Sequence, residues 1–260
     1  MPAYELLLAH VVPFMLVVAR MAGLFVFTPL LSNRAVPRRF RVMIAVMLAA
    51  AIYPVLPSHM QVEPAIDLAG IAPMVLSELL IGVTIGFLAG LPVVAMDMSG
   101  FMIGHQMGMN LARVYNPDAG TETDVFGQVL MYVGLATFLA LGGLEAAFVT
   151  LVSTFRNVPI GGLAIDRAPV QLVVGVISSG VELAVRVAAP VICIIFLLLI
   201  AMGFVMKTMP QVNVMSVGFT IKILFGIGML AASLVAMQHA TSDEIDRVLR
   251  IVVEWGRSLA

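Results

Sequence analysis

Leu68 to Val94 reads LAGIAPMVLSELLIGVTIGFLAGLPVV and holds a single charged side chain, Glu78. A run of this length and apolarity is what a helix needs to cross the hydrocarbon core of a bilayer, where only an intrahelical ladder satisfies every backbone group. Five other stretches read the same way: Leu6 to Leu31, Val42 to Leu56, Val125 to Phe155, Val170 to Met206 and Val212 to Met237. The second is short and ends at Pro54 and Pro57; the fifth is long enough to tilt, to bend at Pro190 or to begin outside the membrane. The expectation is an all-α polytopic membrane protein, a single helical membrane domain over 1–260 with about six long apolar helices.

Composition agrees. Hydrophobic residues make up 61% of the chain and charged ones 11%, against roughly 45–50% and 25% in a soluble domain. Fourteen basic residues nearly balance fifteen acidic ones, so no strong field points to nucleic acid. Cys193 is the only cysteine, which excludes a disulfide or a thiolate metal site within one chain. The start, Met1 to Glu5, lacks the basic region of a cleavable signal peptide, so the first helix is expected to remain.

Ser32 to Arg41 carries Arg34, Arg38, Arg39 and Arg41 without an acid, whereas the next connection carries Glu63 and Asp67 without a base. The positive-inside rule puts the first in the cytoplasm; a basic collar for a partner or anionic lipid fits the same residues. From Thr241 to about residue 258, Ile245, Val248, Leu249, Val252 and Trp255 alternate at helical spacing with Asp246, Arg247, Arg250, Glu254 and Arg257. This is an amphipathic helix for an interface, with lipid headgroups or a partner protein.

Two glycine ladders, Gly82, Gly86, Gly90 and Gly100, Gly104, Gly108, step by four and strip one helix face of side chains, as close helix packing requires. Met98, Met102, His105 and Met109 occupy a different face of the second ladder's helix. Such a face is either core or a soft, adaptable seal. Arg113 to Asp124 follows directly, the longest polar stretch inside the apolar block, with the turn signal Asn116, Pro117, Asp118, Ala119, Gly120. It reads as a loop, either a plain connection or a gate, and Thr121 with Asp124 resembles a capping box for the helix from Val125.

Arg20, Glu78, Glu145, Glu182, Arg186, Lys207 and Lys222 lie within or beside apolar stretches. Each costs about 2.5–3.5 kcal/mol at a bilayer centre unless paired or wetted. Glu182 and Arg186 can pair along one helix; Glu78 is expected to meet a cation on another helix, Arg20 being the candidate. The pair is either structural or a proton or substrate relay, the latter being how a secondary transporter or channel would use it. His10, His59, His105 and His239 are scattered, and no zinc-protease, nucleophile-elbow or phosphate-loop motif occurs. An enzyme, a metal site and a cofactor are not expected.

With these residues in place the chain resembles the FliR family of flagellar type III export-gate proteins, which includes the equivalent injectisome subunit. The resemblance runs over essentially the whole chain through Arg20, Pro29, Pro37, Arg39 and Arg41; Glu78, Gly82 and Gly86; Gly100, Gln106 and Gly108; Pro159; and Pro210, Gln211, Asn213, Gly218, Phe219 and Lys222. Thr220 departs from it, standing where the family pattern has proline. The resemblance implies helical hairpins in a multi-subunit gate of the bacterial inner membrane at the flagellar basal body. Its partners there are FliP-like, FliQ-like and FlhB-like subunits, and its cargo is unfolded export substrates. It further implies that the loop from about Met109 through Asp124, with Arg113, Val114, Tyr115, Asn116, Pro117 and Asp118, plugs the closed channel. Methionines, mainly from the FliP-like subunits, form a gasket beside it.

Overall fold

A computed structural model describes residues 3–29, 37–56, 68–109, 125–161, 170–208 and 214–258. Among them there is no strand. The described residues form seven α-helices in order: α1 (Ala3–Phe27), α2 (Arg38–Ile52), α3 (Leu68–Met107), α4 (Val125–Ala140), α5 (Gly143–Asn157), α6 (Val170–Thr208) and α7 (Val214–Ser258), with a 3-10 turn at Tyr53–Val55. The chain is thus an all-α polytopic membrane protein. Among the described residues, four helices are long and apolar enough to cross a membrane, or up to five when α4 and α5 count as one broken span.

The expected count of about six holds approximately, and two of the stretches take a particular form. The second is α2, whose 15 residues make about 22 Å of helix, short of a hydrocarbon core of about 30 Å. The fourth breaks at Leu141 and Gly142, where Gly142 takes φ +70°, a conformation that glycine alone enters cheaply. Two other elements are longer than the sequence suggested. The third stretch continues to Met107, so one helix of 40 residues carries the first glycine ladder and Gly100 and Gly104 of the second, with Gly108 just past its end. The amphipathic tail is the continuation of α7. Proline at 190 does not end α6, which is helical on both sides of it.

The chain forms two compact units, one of Met1–Leu91, Leu139–Val176 and Ile245–Ala260, the other of Pro92–Phe138 and Ile177–Glu244. In the first, Leu16, Val17, Met21 and Leu24 of α1 are buried with Ile85 and Leu88 of α3 and Leu151 and Phe155 of α5. Here α1 and α3 approach to backbone contact. A side-chain carbon on Gly82 would overlap the Arg20 carbonyl, one on Gly86 the Leu24 carbonyl, and one on Gly23 the Leu79 carbonyl. Gly90 faces the Phe27 carbonyl at 2.8 Å from such a carbon. Close packing of this kind is what small residues permit where no hydrophobic drive separates helix from lipid. Helix α2 lies against α1, and just beyond its end the Tyr53 hydroxyl meets His10 Nδ1 at 3.0 Å while the Tyr53 ring meets the Phe14 ring edge-on.

The tail belongs to this unit. Ile245, Val248, Leu249 and Val252 are all buried, Gly256 abuts Thr150, and Asn157 Nδ2 donates to the Gly256 carbonyl at 2.9 Å. Its apolar face is covered by its own chain, a third possibility beside the lipid and the partner protein that pattern suggested.

In the second unit one core joins Met96, Ile103 and Met107 of α3, Leu130 of α4, Leu183, Val187, Val191 and Ile195 of α6, and Met237 of α7. Gly100 packs on the Phe126 backbone and Gly134 on Met96.

Candidate functional site

Arg20 on α1 and Glu78 on α3 are both fully buried. Two apposed helices bring them together: Glu78 and Gly82 are one turn apart on the face of α3 that meets α1. Arg20 Nε donates to Glu78 Oε2, and Arg20 Nη2 donates to Oε1 at 3.0 Å. This is the two-pronged geometry in which a guanidinium matches a carboxylate best. Arg20 Nη1 donates to Thr154 Oγ1 at 3.0 Å, while the Thr154 hydroxyl donates to the Leu151 carbonyl. The guanidinium carbon stands 4.2 Å from the centre of the Phe155 ring, a cation–π distance. Glu78 Oε1 also accepts from the Gly161 backbone N–H at 2.8 Å.

Both carboxylate oxygens are occupied, and α1, α3, α5 and the segment after α5 are tied at one point. The sequence pointed to Arg20 and Glu78 but not to Thr154, Phe155 or Gly161. Threonine and phenylalanine inside an apolar helix carry no signal of their own, and 134 positions separate Thr154 from Arg20. Lys222 takes no part; it lies half-buried on α7. Among the described residues no group of three or more His, Cys, Asp or Glu could hold a metal.

The second candidate is the end of α3. Met98 and His105 point outward, His105 stacked on Phe101 with ring centres 6.1 Å apart; Met102 and Met109 are half-buried against the unit's core. The methionines that fill that core are others, Met96 and Met107, and the Thr241 hydroxyl donates to Met96 Sδ at 3.0 Å. Gly100 and Gly104 are buried on the packing face. Gly108 has a different role: it takes φ +85°, its N–H reaches the His105 carbonyl at 3.0 Å, and the Met109 N–H reaches the Gly104 carbonyl at 3.1 Å. This is a Schellman end, which satisfies the last free carbonyls and turns the chain sharply away. Arg113, Val114, Tyr115, Asn116, Pro117 and Asp118, with the Thr121 and Asp124 cap, lie outside the described residues, as do Ser32 to Val36 of the basic segment; Arg38, Arg39 and Arg41 open α2.

Comparison with known proteins adds the identity that geometry alone lacks. The chain is 28% identical to the flagellar biosynthetic protein FliR of Escherichia coli (strain K12), over 82% of this chain and 80% of that protein. It is 28% identical to FliR of Bacillus subtilis (strain 168) over 84% of each chain. To the Yop proteins translocation protein T of Yersinia pestis it is 24% identical, again over 84% of each. The family model described as bacterial export proteins, family 1, matches residues 11–248, and over that nearly complete length the chain belongs to the bacterial export proteins, family 1.

Proposed function

We propose that this chain is a non-enzymatic membrane subunit of a type III protein export gate. In this reading it assembles with FliP-like, FliQ-like and FlhB-like subunits in the bacterial inner membrane, at the flagellar basal body, and conducts unfolded substrates. The family match over residues 11–248 carries the reading. The flagellar names of the relatives favour a flagellar system, and the likeness to translocation protein T fits a common export machinery.

Two features of the chain support the gate. The polar segment follows the Schellman end at Gly108 directly in sequence, and Met98 and His105 stand outward within three turns of that end. In the proposal this segment, Arg113 to Asp118 included, closes the resting channel, with the outward Met98 and His105 lying against it. The rival use of Arg20 and Glu78 as a transport site has less support, since both side chains are fully buried and both carboxylate oxygens accept from protein donors.

Co-purification tests the assembly: mild detergent should bring the chain out with FliP-like and FliQ-like partners, and isolation alone with transport activity of its own would favour the transporter. Deleting Val114 to Gly120 tests the plug. The assembled complex should then leak small ions; unchanged permeability in a complex of normal yield sinks the plug while leaving the assembly reading standing.

A further inference from the structure

Glycine weakens the interior of a helix relative to alanine, so the room it leaves matters where another group fills it. Gly226 and Gly228 both lie within α7, and they differ in this respect. A carbon added at Gly228 would meet nothing within 4 Å. One added at Gly226 would overlap the Met107 methyl and stand 3.1 Å from Met107 Sδ and 3.3 Å from its Cγ. Gly226 is buried although Phe225 and Ile227 on either side of it are exposed. The Met107 thioether thus occupies the space of the missing side chain, with Cγ, Sδ and Cε all lying along the notch.

Met107 is the last residue of α3, a place where helices fray, yet it is fully buried, whereas Gln106, Gly108 and Met109 beside it are half-buried. Methionine suits the notch, being unbranched, flexible and polarizable. A second contact lies nearer the middle of α3, where the Thr241 hydroxyl of α7 reaches Met96 Sδ at 3.0 Å. Met96, Ile103 and Met107 share one helix face and one core with Met237 of α7. Met96 meets the later position of α7 and Met107 the earlier one, so the two helices run antiparallel and are held at two methionines. The second of these immediately precedes the Schellman turn at Gly108.

We infer that Gly226 is the seat of Met107 and that this seat fixes the end of α3 against α7, which makes Gly226 and Met107 positioning residues for the polar segment that begins after it. The placing of the helix end stands on packing within one compact unit of the chain; its consequence for the channel rests on the gate reading. In that consequence α7 sets the point from which the segment starts, and a helix end freed from its seat leaves the resting channel less tightly closed.

A size swap in the assembled complex tests the seat. Gly226→Val adds as many heavy atoms on α7 as Met107→Ala removes from α3, and cores tolerate changes that conserve volume best. Each single change should speed hydrogen exchange at the Gly108 and Met109 amides by about tenfold or more, as loss of a buried methionine's packing implies, and should raise the permeability of the reconstituted complex to small ions. The double variant should bring both readouts back to within about threefold of the parent, the signature of a direct coupling between two sites. A double variant no better than the worse single overturns the seat, and so do singles that leave both amides at the parental rate. Exchange that follows the swap while permeability stays at the parental level upholds the seat and counts against the gate reading instead, which deletion of Val114 to Gly120 checks separately. Where the Gly226→Val complex fails to assemble, Gly226→Ala with Met107→Val repeats the swap on the scale of a single carbon, with the same outcomes deciding.

Discussion

Arg20 holds Glu78 by two parallel N–H donors although 58 positions separate them, and neither side chain touches solvent. A buried pair of this kind is not a simple gain in stability, because each charge has lost its water; removing one partner, however, strands the other. Glu78→Ala should destabilise the chain by about 3–5 kcal/mol and cut the yield of assembled complex more than it alters substrate choice. The double variant Arg20→Met with Glu78→Leu should be less harmful than either single change. Thermal midpoints of the four detergent-extracted proteins check this, and a double variant worse than both singles would contradict it.

Thr154 supplies the third ligand of the Arg20 guanidinium. Thr154→Val keeps the shape and removes the oxygen, leaving a buried donor without an acceptor at a cost of about 1–3 kcal/mol. Thr154→Ser keeps the oxygen and should recover most of that loss. Unfolding of the two variants in the same detergent distinguishes the hydrogen bond from mere volume.

Glycines in this chain should respond oppositely to one methyl group. Gly82→Ala drives a carbon into the Arg20 backbone and should cost about 1–3 kcal/mol through strain or separation of α1 from α3. Gly228 has nothing within 4 Å of the place where the methyl would go, so Gly228→Ala should stabilise α7 by up to about 1 kcal/mol through helix propensity. Equal effects on the thermal midpoint would show that the close approach of α1 and α3 is not limiting.

Gly108 ends α3 in the left-handed region. Gly108→Ala should cost about 1–2 kcal/mol and speed hydrogen exchange at the amides of Gly108 and Met109, whose bonds close the helix end. Protection unchanged at both amides would mean that the Schellman turn survives without glycine.

Val248 and Arg250 are two positions apart on α7, one buried and one exposed. Val248→Asp buries an unpaired charge and should destabilise by about 3 kcal/mol or more; Arg250→Glu should stay within about 0.5 kcal/mol. Similar losses from both would place the tail's apolar face outside the core.

Much of the architecture is legible in one dimension because lipid leaves the backbone no choice but helix, and a run such as Leu68 to Val94 states its own conformation. The ladder at Gly82, Gly86 and Gly90 is legible for a similar reason: absent side chains at one helical face mean close approach, whatever the neighbour. The unpaired look of Glu78 likewise demanded a distant cation. Breaks and continuations are less legible. Gly142 interrupts a run that hydropathy reads as continuous, because one positive φ outweighs apolarity locally, and α7 runs through Thr241 because change of polarity does not stop a hydrogen-bond ladder.

The residues of this chain by themselves determined helices, the approximate runs, the close-packing faces and the need for a partner at Glu78. Tertiary structure alone decided that Thr154, Phe155 and Gly161 complete that partner shell, that Met96 and Met107 rather than Met98 fill the second core, and that the amphipathic tail closes on its own chain. The physical reason is range. Helix formation and face patterning depend on neighbours within a turn or two, whereas the choice of what covers a face is made by groups as much as 134 positions away, through packing and desolvation that no local pattern records.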